Sequence, residues 1–204
     1  MTVISKIQSK VELKSHLSEF TKVLSRAFYN DPYYVHIMPN DKKRISQTQW
    51  WMRILLKYTQ KNGTIYVTSD YTGIAMWLGP NNPTLDNIQL ALAGLILYPF
   101  KIGIRSFINM LDVSTKWEKE HSKQNKKHYY LMVIGVDSDV QRKGIGSQLM
   151  EDVLAKADNE KLDCYLETVT TENLLFYQKH NFEIIKNKKF GNGYQYWIMK
   201  RTPK

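Results

Sequence analysis

Residues 133–146 read Val-Ile-Gly-Val-Asp-Ser-Asp-Val-Gln-Arg-Lys-Gly-Ile-Gly and carry the clearest chemistry in the chain. An apolar, β-branched run ends in a polar turn. Gln141, Arg142, Lys143, Gly144, Ile145 and Gly146 follow, and Ser147 opens an amphipathic stretch. A strand, a basic glycine-containing loop and a helix start, in that order, make an anion site. Backbone N–H groups at a helix start have no intrahelical partners, and the helix dipole adds partial positive charge there. Gly144 and Gly146 leave room for a phosphate against the backbone. Arg142 and Lys143 bring full charges. The loop predicts a pyrophosphate site for a nucleotide-containing cofactor, with a dinucleotide, ATP and CoA all open at this point.

Particular elements must position that loop. A strand over 128–136 feeds it. A helix over 147–159 leaves it, with Leu149, Met150, Val153, Leu154 and Ala157 on one face. A strand over 163–169 then completes a β-α-β unit with a parallel pair. A short helix over 172–180 follows, capped by Thr170 or Thr171, and Asn181 suits the left-handed position after it. Runs at 182–190 and 194–200 flank Gly191-Asn192-Gly193 as an antiparallel hairpin.

Upstream, 3–7 alternates like a strand, and Leu13, Leu17, Phe20, Leu24 and Phe28 recur at helical spacing over 11–28. Asp31-Pro32 signals a helix start, here of a short helix over 33–38. A longer helix covers 42–61, and 64–69 with 73–78 form a hairpin. Two apolar helices, 84–98 and 100–119, are separated by Pro99. The class is α/β (α+β): one domain over 1–204, with a helical insertion at 84–126 and a mixed sheet holding one parallel crossover.

That layout narrows the cofactor. A dinucleotide fold wants a third glycine where Leu149 stands, although Glu167 mimics its distant acidic residue. About sixty residues follow the loop, too few for the rest of a doubly wound sheet. The Gly-Lys-Ser/Thr of a Walker loop is absent from the sequence.

Composition bounds the partners. The chain has 204 residues, 43% of them hydrophobic, which fits one well-buried core. The lone cysteine, Cys164, excludes an internal disulfide and fits a reducing compartment. No charged-then-apolar leader pattern opens the sequence, so a cytoplasmic location is expected. The net charge of +10 comes from scattered lysines, densest at 123–127. It reads as solvated faces rather than a nucleic-acid surface. The apolar span 88–104 is broken by Pro99 and Lys101, which argues against stable membrane insertion and for a helix packed on the core or walling a pocket, with a helix lying on a membrane surface as the lesser alternative. No cluster shows metal-ligand spacing.

With these residues in view, Gln141-Arg142-Lys143-Gly144-Ile145-Gly146 resembles the Gln/Arg-x-x-Gly-x-Gly/Ala loop of the GNAT superfamily of acetyl-CoA-dependent N-acetyltransferases. Leu166-Glu167-Thr168, Asn173, Phe176-Tyr177 and Asn181-Phe182 are similar to that family's second half. Ala27-Phe28 with Pro32, Ile74-Ala75-Met76-Trp77 with Pro80, and Tyr130-Leu131 resemble the puromycin N-acetyltransferase-like branch. Two positions depart: Ser138 stands where the family often has proline, and Asn181 where it usually has glycine. Both are conformationally mild.

The resemblance implies a seven-stranded, mostly antiparallel GNAT sheet with a splayed strand pair. The pantetheine arm would lie against backbone groups of Ile134, Gly135 and Val136. The pyrophosphate would lie on Gln141, Arg142, Lys143, Gly144, Ile145, Gly146 and Ser147. Asn173 would contact the arm beside Phe176. It implies acetyl-CoA as co-substrate, no metal, and a monomer or homodimer. The reaction would be direct attack of an amine on a thioester. That needs a base, because an alkylammonium is not a nucleophile at neutral pH, and an acid for the leaving thiolate. Glu167 is assigned as the base and Tyr177 as the acid.

The acceptor is then a primary amine of a small molecule, an antibiotic or other toxic amine being one class. Phe28, Tyr33 and Trp77 are the candidate aromatic contacts. A protein or peptide amine, a CoA-binding regulator without chemistry, and a basic nucleic-acid-binding module are the competing readings.

Overall fold

A computed structural model describes residues 3–124, 126–190 and 193–204. Capping residues set most helix starts. Ser9 opens α1 (Lys10–Ala27), Asp31 opens α2 (Pro32–Ile37) and Asn40 opens α3 (Asp41–Asn62), each side chain accepting from a first-turn N–H. Strand β1 (Ile4–Lys6) precedes α1, and the hairpin β2 (Gly63–Thr68) and β3 (Gly73–Leu78) follows α3. The insertion holds α4 (Asn87–Ala93), α5 (Tyr98–Ile102) and α6 (Ile104–His121). Then come β4 (His128–Val136), α7 (Ile145–Glu160), β5 (Asp163–Thr168), α8 (Thr171–Lys179), β6 (Glu183–Lys189) and β7 (Gln195–Arg201).

Among the described residues the strands form a seven-stranded sheet in the order β1-β2-β3-β4-β5-β7-β6. The β4–β5 pair is parallel and every other neighbouring pair antiparallel. Strand alternation sorts the core into two layers. Ile74, Met76 and Leu78 face α1 and α3, where Phe20, Leu24, Ile54 and Tyr58 are buried. Ala75 and Trp77 face the opposite side, where Leu149, Met150 and Val153 of α7 cover them.

The insertion differs from its expected form. The breaks fall at Gly94 and Gly103, with φ of 127° and 102°, and not at Pro99. Pro99 instead lies in the first turn of α5, where its missing N–H costs nothing. The first expected helix is thus the short α4 with a 3-10 turn at Leu95–Leu97, and the second is the short α5 followed by the 18-residue α6. Asn181 takes the predicted left-handed conformation, φ 64°. In the terminal hairpin turn, Gly191 and Asn192 lie outside the described residues, as does Asn125 within the 123–127 lysine cluster.

Gly63 joins α3 to β2 where the backbone leaves no room: a Cβ there would stand 2.1 Å from the Trp77 carbonyl oxygen. Gly63→Ala is therefore expected to lower stability by about 1–3 kcal/mol, the range of substitutions that force a backbone shift. A urea midpoint that falls with an unchanged m value is the measurement.

Candidate active site

The loop after β4 is fixed from three sides. Asp137 is buried, its N–H donates to the Thr72 carbonyl at 2.8 Å, and its carboxylate accepts from Arg26 of α1 at 2.9 Å. Arg26 also bonds Asp139. Gln141 donates through Nε2 to the Val136 carbonyl at 3.0 Å, so this side chain ties the loop to the end of β4. Arg142 and Gly144 both adopt positive φ, 64° and 82°. At Gly144 only glycine does so without strain.

Helix α7 has no side-chain cap, and the i→i−4 ladder begins with Gln148 donating to Gly144. The N–H groups of Ile145, Gly146 and Ser147 are thus left for an anion beside the exposed Arg142 and Lys143. Gly146 also serves packing. A Cβ there would meet the Phe176 ring at 3.1 Å, so this glycine lets α8 close on α7. The Ser147 hydroxyl is engaged with His180 Nε2 at 3.0 Å, tying the same two helices together.

Strands β4 and β5 part just upstream of this loop. They pair at His128↔Asp163, Tyr129↔Cys164 and Tyr130↔Tyr165, and pairing stops there. Beyond, β4 stays paired to β3 as far as Val136↔Gly73, and β5 to β7 as far as Thr168↔Trp197. The β3–β4 register shifts between Met76↔Val133 and Trp77↔Leu131, leaving Met132 as an extra residue. Such a bulge bends and twists its strand. Ile134, Gly135 and Val136 therefore present backbone groups into a cleft. Gly135 has no Cβ to obstruct α1: an added one would lie 2.8 Å from Leu24 and 3.1 Å from Phe28.

Ionisable groups gather around this cleft. Glu167 lies on β5 beyond the last pair. Burial raises its pKa to about 7, and the Tyr130 and Tyr165 hydroxyls beside it draw it partly back. Neither Glu167 Oε1 nor the Tyr165 hydroxyl closes a hydrogen bond of ordinary geometry. The Tyr177 ring is buried on α8, and its pKa is pushed up by burial and then by the charge of Asp31. Asp31 caps α2 through the Tyr33 N–H at 2.9 Å, and burial lifts its own pKa to about 6.

Residues 108–184 match the family model for an acetyltransferase (GNAT) domain. An uncharacterized N-acetyltransferase of Schizosaccharomyces pombe is 27% identical over 181 residues, 85% of this chain and 72% of that protein. N-alpha-acetyltransferase 50 of Danio rerio is 38% identical over 74 residues, 34% of this chain and 44% of that one. Among solved structures, a histone acetyltransferase HPA2 and related acetyltransferase from Corynebacterium glutamicum superposes with TM-score 0.70 at 18% identity, over 100% of this chain and 98% of that one. Arylalkylamine N-acetyltransferase 2 from Aedes aegypti does so with TM-score 0.59 at 14% identity, covering 99% of each. Over residues 108–184 the chain thus matches a GNAT acetyltransferase domain, and its fold is shared with these acetyltransferases.

The structure brings Glu167, Phe28 and the backbone of 134–136 to the parted β4–β5 edge, and Asp31 lies near enough to Tyr177 for its charge to raise that phenol. It does not bring Trp77 there. Trp77 is a correction: alternation along β3 turns it to the α7 face, where it is buried beside Leu131. Tyr33 is buried on the cleft side, its ring 4.9 Å from Trp117 and 4.8 Å from Tyr34.

The histidines have other duties. His121 and His128 are buried and bonded Nε2 to Nε2 at 2.7 Å, and burial lowers the pKa of His121 to about 3. Cys164 is buried, its thiol pushed up to about 12, so it is inert. Among the described residues no group of three or more His, Cys, Asp or Glu is placed to hold a metal. Sequence reasoning missed Asp31 beyond its capping role, and the Tyr130–Tyr165 pair beside Glu167. The second was within reach, because a period of two puts Tyr165 and Glu167 on one face of β5.

Two outcomes follow from the geometry. Replacing Arg142 and Lys143 together by alanine is expected to weaken acetyl-CoA binding about tenfold and to flatten its salt dependence, read by calorimetric titration at several ionic strengths. Glu167 has a folded pKa above its unfolded value, so its contribution to stability is full below the unfolded pKa and is lost as pH rises through about 7. Glu167→Gln should accordingly raise the melting temperature relative to the parent near pH ~8 more than near pH ~4. An equal effect at both would contradict the shift.

Proposed function

We propose that this chain transfers the acetyl group of acetyl-CoA to the primary amine of a small aromatic molecule by direct attack. The observation that carries the reading is Glu167, a carboxyl with a pKa near 7 beside the cleft between β4 and β5. Acetyl-CoA supplies an activated thioester carbonyl. The N–H groups of Ile145, Gly146 and Ser147, with Arg142 and Lys143, bind the pyrophosphate. Backbone groups of Ile134, Gly135 and Val136 orient the amide-bearing arm and offer an N–H to the developing oxyanion. Asn173 and Phe176 border it. Glu167 accepts the proton of the incoming ammonium, directly or through water. Tyr177, protonated at neutral pH, gives a proton to the leaving sulfur.

The acceptor class rests on the cleft's lining. Phe28 stacks near Tyr34 at 5.0 Å, Trp117 near Phe190 at 6.1 Å, and Phe190 near Tyr196 at 4.6 Å. Rings joined in this way form an aromatic wall beside buried carboxyls, a setting that favours a cationic amine with an aromatic body. The name of the Aedes aegypti fold neighbour, an arylalkylamine N-acetyltransferase, accords with that acceptor. A drug-like or otherwise toxic amine falls in the same class.

The test is thiol release from acetyl-CoA across an amine panel. Arylalkylamines are expected to turn over faster than polyamines or peptide N-termini. Glu167→Gln should remove the rise of kcat/KM with pH whose midpoint lies near 7, leaving any weaker inflection near 6 that belongs to Asp31. Tyr177→Phe should lower kcat by about 10²-fold with little change in KM. Unchanged rates in both variants would remove the acid–base assignment, and no turnover with any amine would favour a CoA-binding regulator.

A further inference from the structure

The insertion between β3 and β4 turns a large apolar surface outward. On α6, Met110 and Val113 are buried, while Ile104, Ile108 and Leu111, at helical spacing on the other side, are exposed. On α4, Leu90 is buried while Ile88 and Leu92 are exposed, and Ile96 continues the same spacing. Phe100, on α5 between them, is 87% exposed. Side chains of this size rarely form a run on a soluble surface without an occupant.

A cationic groove adjoins this face. It has a volume of about 710 Å³ and runs between α1, α3 and α4. Lys10, Lys14, Arg53, Lys57 and Lys61 rim it, Leu13 and Leu17 floor it, and Leu92 lines it while also belonging to the apolar face. All five cations are exposed and hold no ion pair among the described residues. Lys101 and Arg105 add charge within the apolar face itself. Asp86 is the sole acidic residue between 84 and 111, and it is occupied in capping α4 through the N–H groups of Ile88 and Gln89.

We propose that α4–α6 and the adjoining cationic rim dock on an anionic lipid bilayer surface, the apolar side chains entering the headgroup boundary and the cations meeting lipid phosphates. Charge complementarity selects this occupant. A second copy of the chain would set the same unpaired cations against one another. A nucleic acid would leave Ile88, Leu92, Phe100 and Ile104 in water. A bilayer of anionic lipid satisfies both features at once. The contact lies on the surface of the membrane, since no helix among the described residues is long and apolar enough to cross one. It would bring an amphipathic amine partitioned into that surface close to the enzyme.

The experiment is co-sedimentation of the full chain with vesicles of phosphatidylcholine alone and of phosphatidylcholine containing about one-third phosphatidylserine. Acetyl-CoA and amine are absent, so the outcome is independent of the proposed chemistry. Binding to the anionic vesicles only, weakened by salt, is expected. Phe100→Ser with Ile104→Ser, and separately Lys57→Glu with Lys61→Glu, should each reduce it about tenfold or more, while circular dichroism stays unchanged because all four residues are exposed. Several results would overturn the proposal: equal binding to both vesicle types, binding indifferent to either pair of substitutions, or a dimer in solution whose dissociation follows Phe100→Ser. Saturable binding of soluble glycerophosphoserine as tight as that of vesicles would do the same.

Discussion

A parallel strand pair that stops pairing after three residues is the constraint on which the site depends. Backbone N–H and C=O groups in an interior are almost always bonded, so an open edge between two strands is costly unless something fills it. Here it cannot close by zipping up. Strand β4 is held on its outer side by β3 with an extra residue at Met132, and β5 on its outer side by β7 without one. The bulge makes the two registers diverge, and each strand keeps its divergent course through a full ladder. Gly135 lets α1 press on the parted strand, and Arg26 fastens the loop beyond it through Asp137. The cleft is thus built into the sheet and does not await a ligand to open.

The same geometry explains the electrostatics. Glu167 follows the last β4–β5 pair, so its carboxyl sits under the aromatic layer rather than in a ladder or in water. Burial favours the neutral form, and the flanking phenols offer only partial relief. Trp117 Nε1 is buried without a hydrogen-bond partner among the described residues, and the Tyr165 hydroxyl and Glu167 Oε1 meet only in poor hydrogen-bond geometry. Each such group costs roughly 1–3 kcal/mol. A surface tuned for stability alone would have paired them or replaced them with apolar groups.

What the sequence disclosed and what it withheld divide along local and non-local lines. The loop after β4 was legible as a candidate anion site because its features are consecutive: an uncapped helix start, a glycine at positive φ and two exposed cations. Asn181 was legible for the same reason, as one residue at one helix end. Pro99 misled because proline is a breaker inside a helix but a natural starter in its first turn, and only the fold decides which turn it occupies. Trp77 misled because alternation along β3 puts it on the face opposite Ile74 and Met76, and only the fold shows that α7 covers that face. Gly146 was read as space for a phosphate, while its tight contact is Phe176, thirty residues on.

The acceptor side is the extreme case of the non-local kind. The wall proposed for it draws Phe28 from just after α1, Tyr33 and Tyr34 from α2, Trp117 from α6 and Tyr196 from β7, and no two of these elements share a sequence motif. The cofactor half must present one fixed set of phosphate and amide contacts, so its residues recur in a compact pattern. The acceptor half need only surround one amine with apolar area and aim it at Glu167, and many combinations of aromatic residues on separate elements do that equally well. That freedom makes the loop identify the superfamily. It also means that the acceptor is written in packing, in the stacking of Tyr33 on Trp117 and of Phe190 on Tyr196, and not in any stretch of the chain.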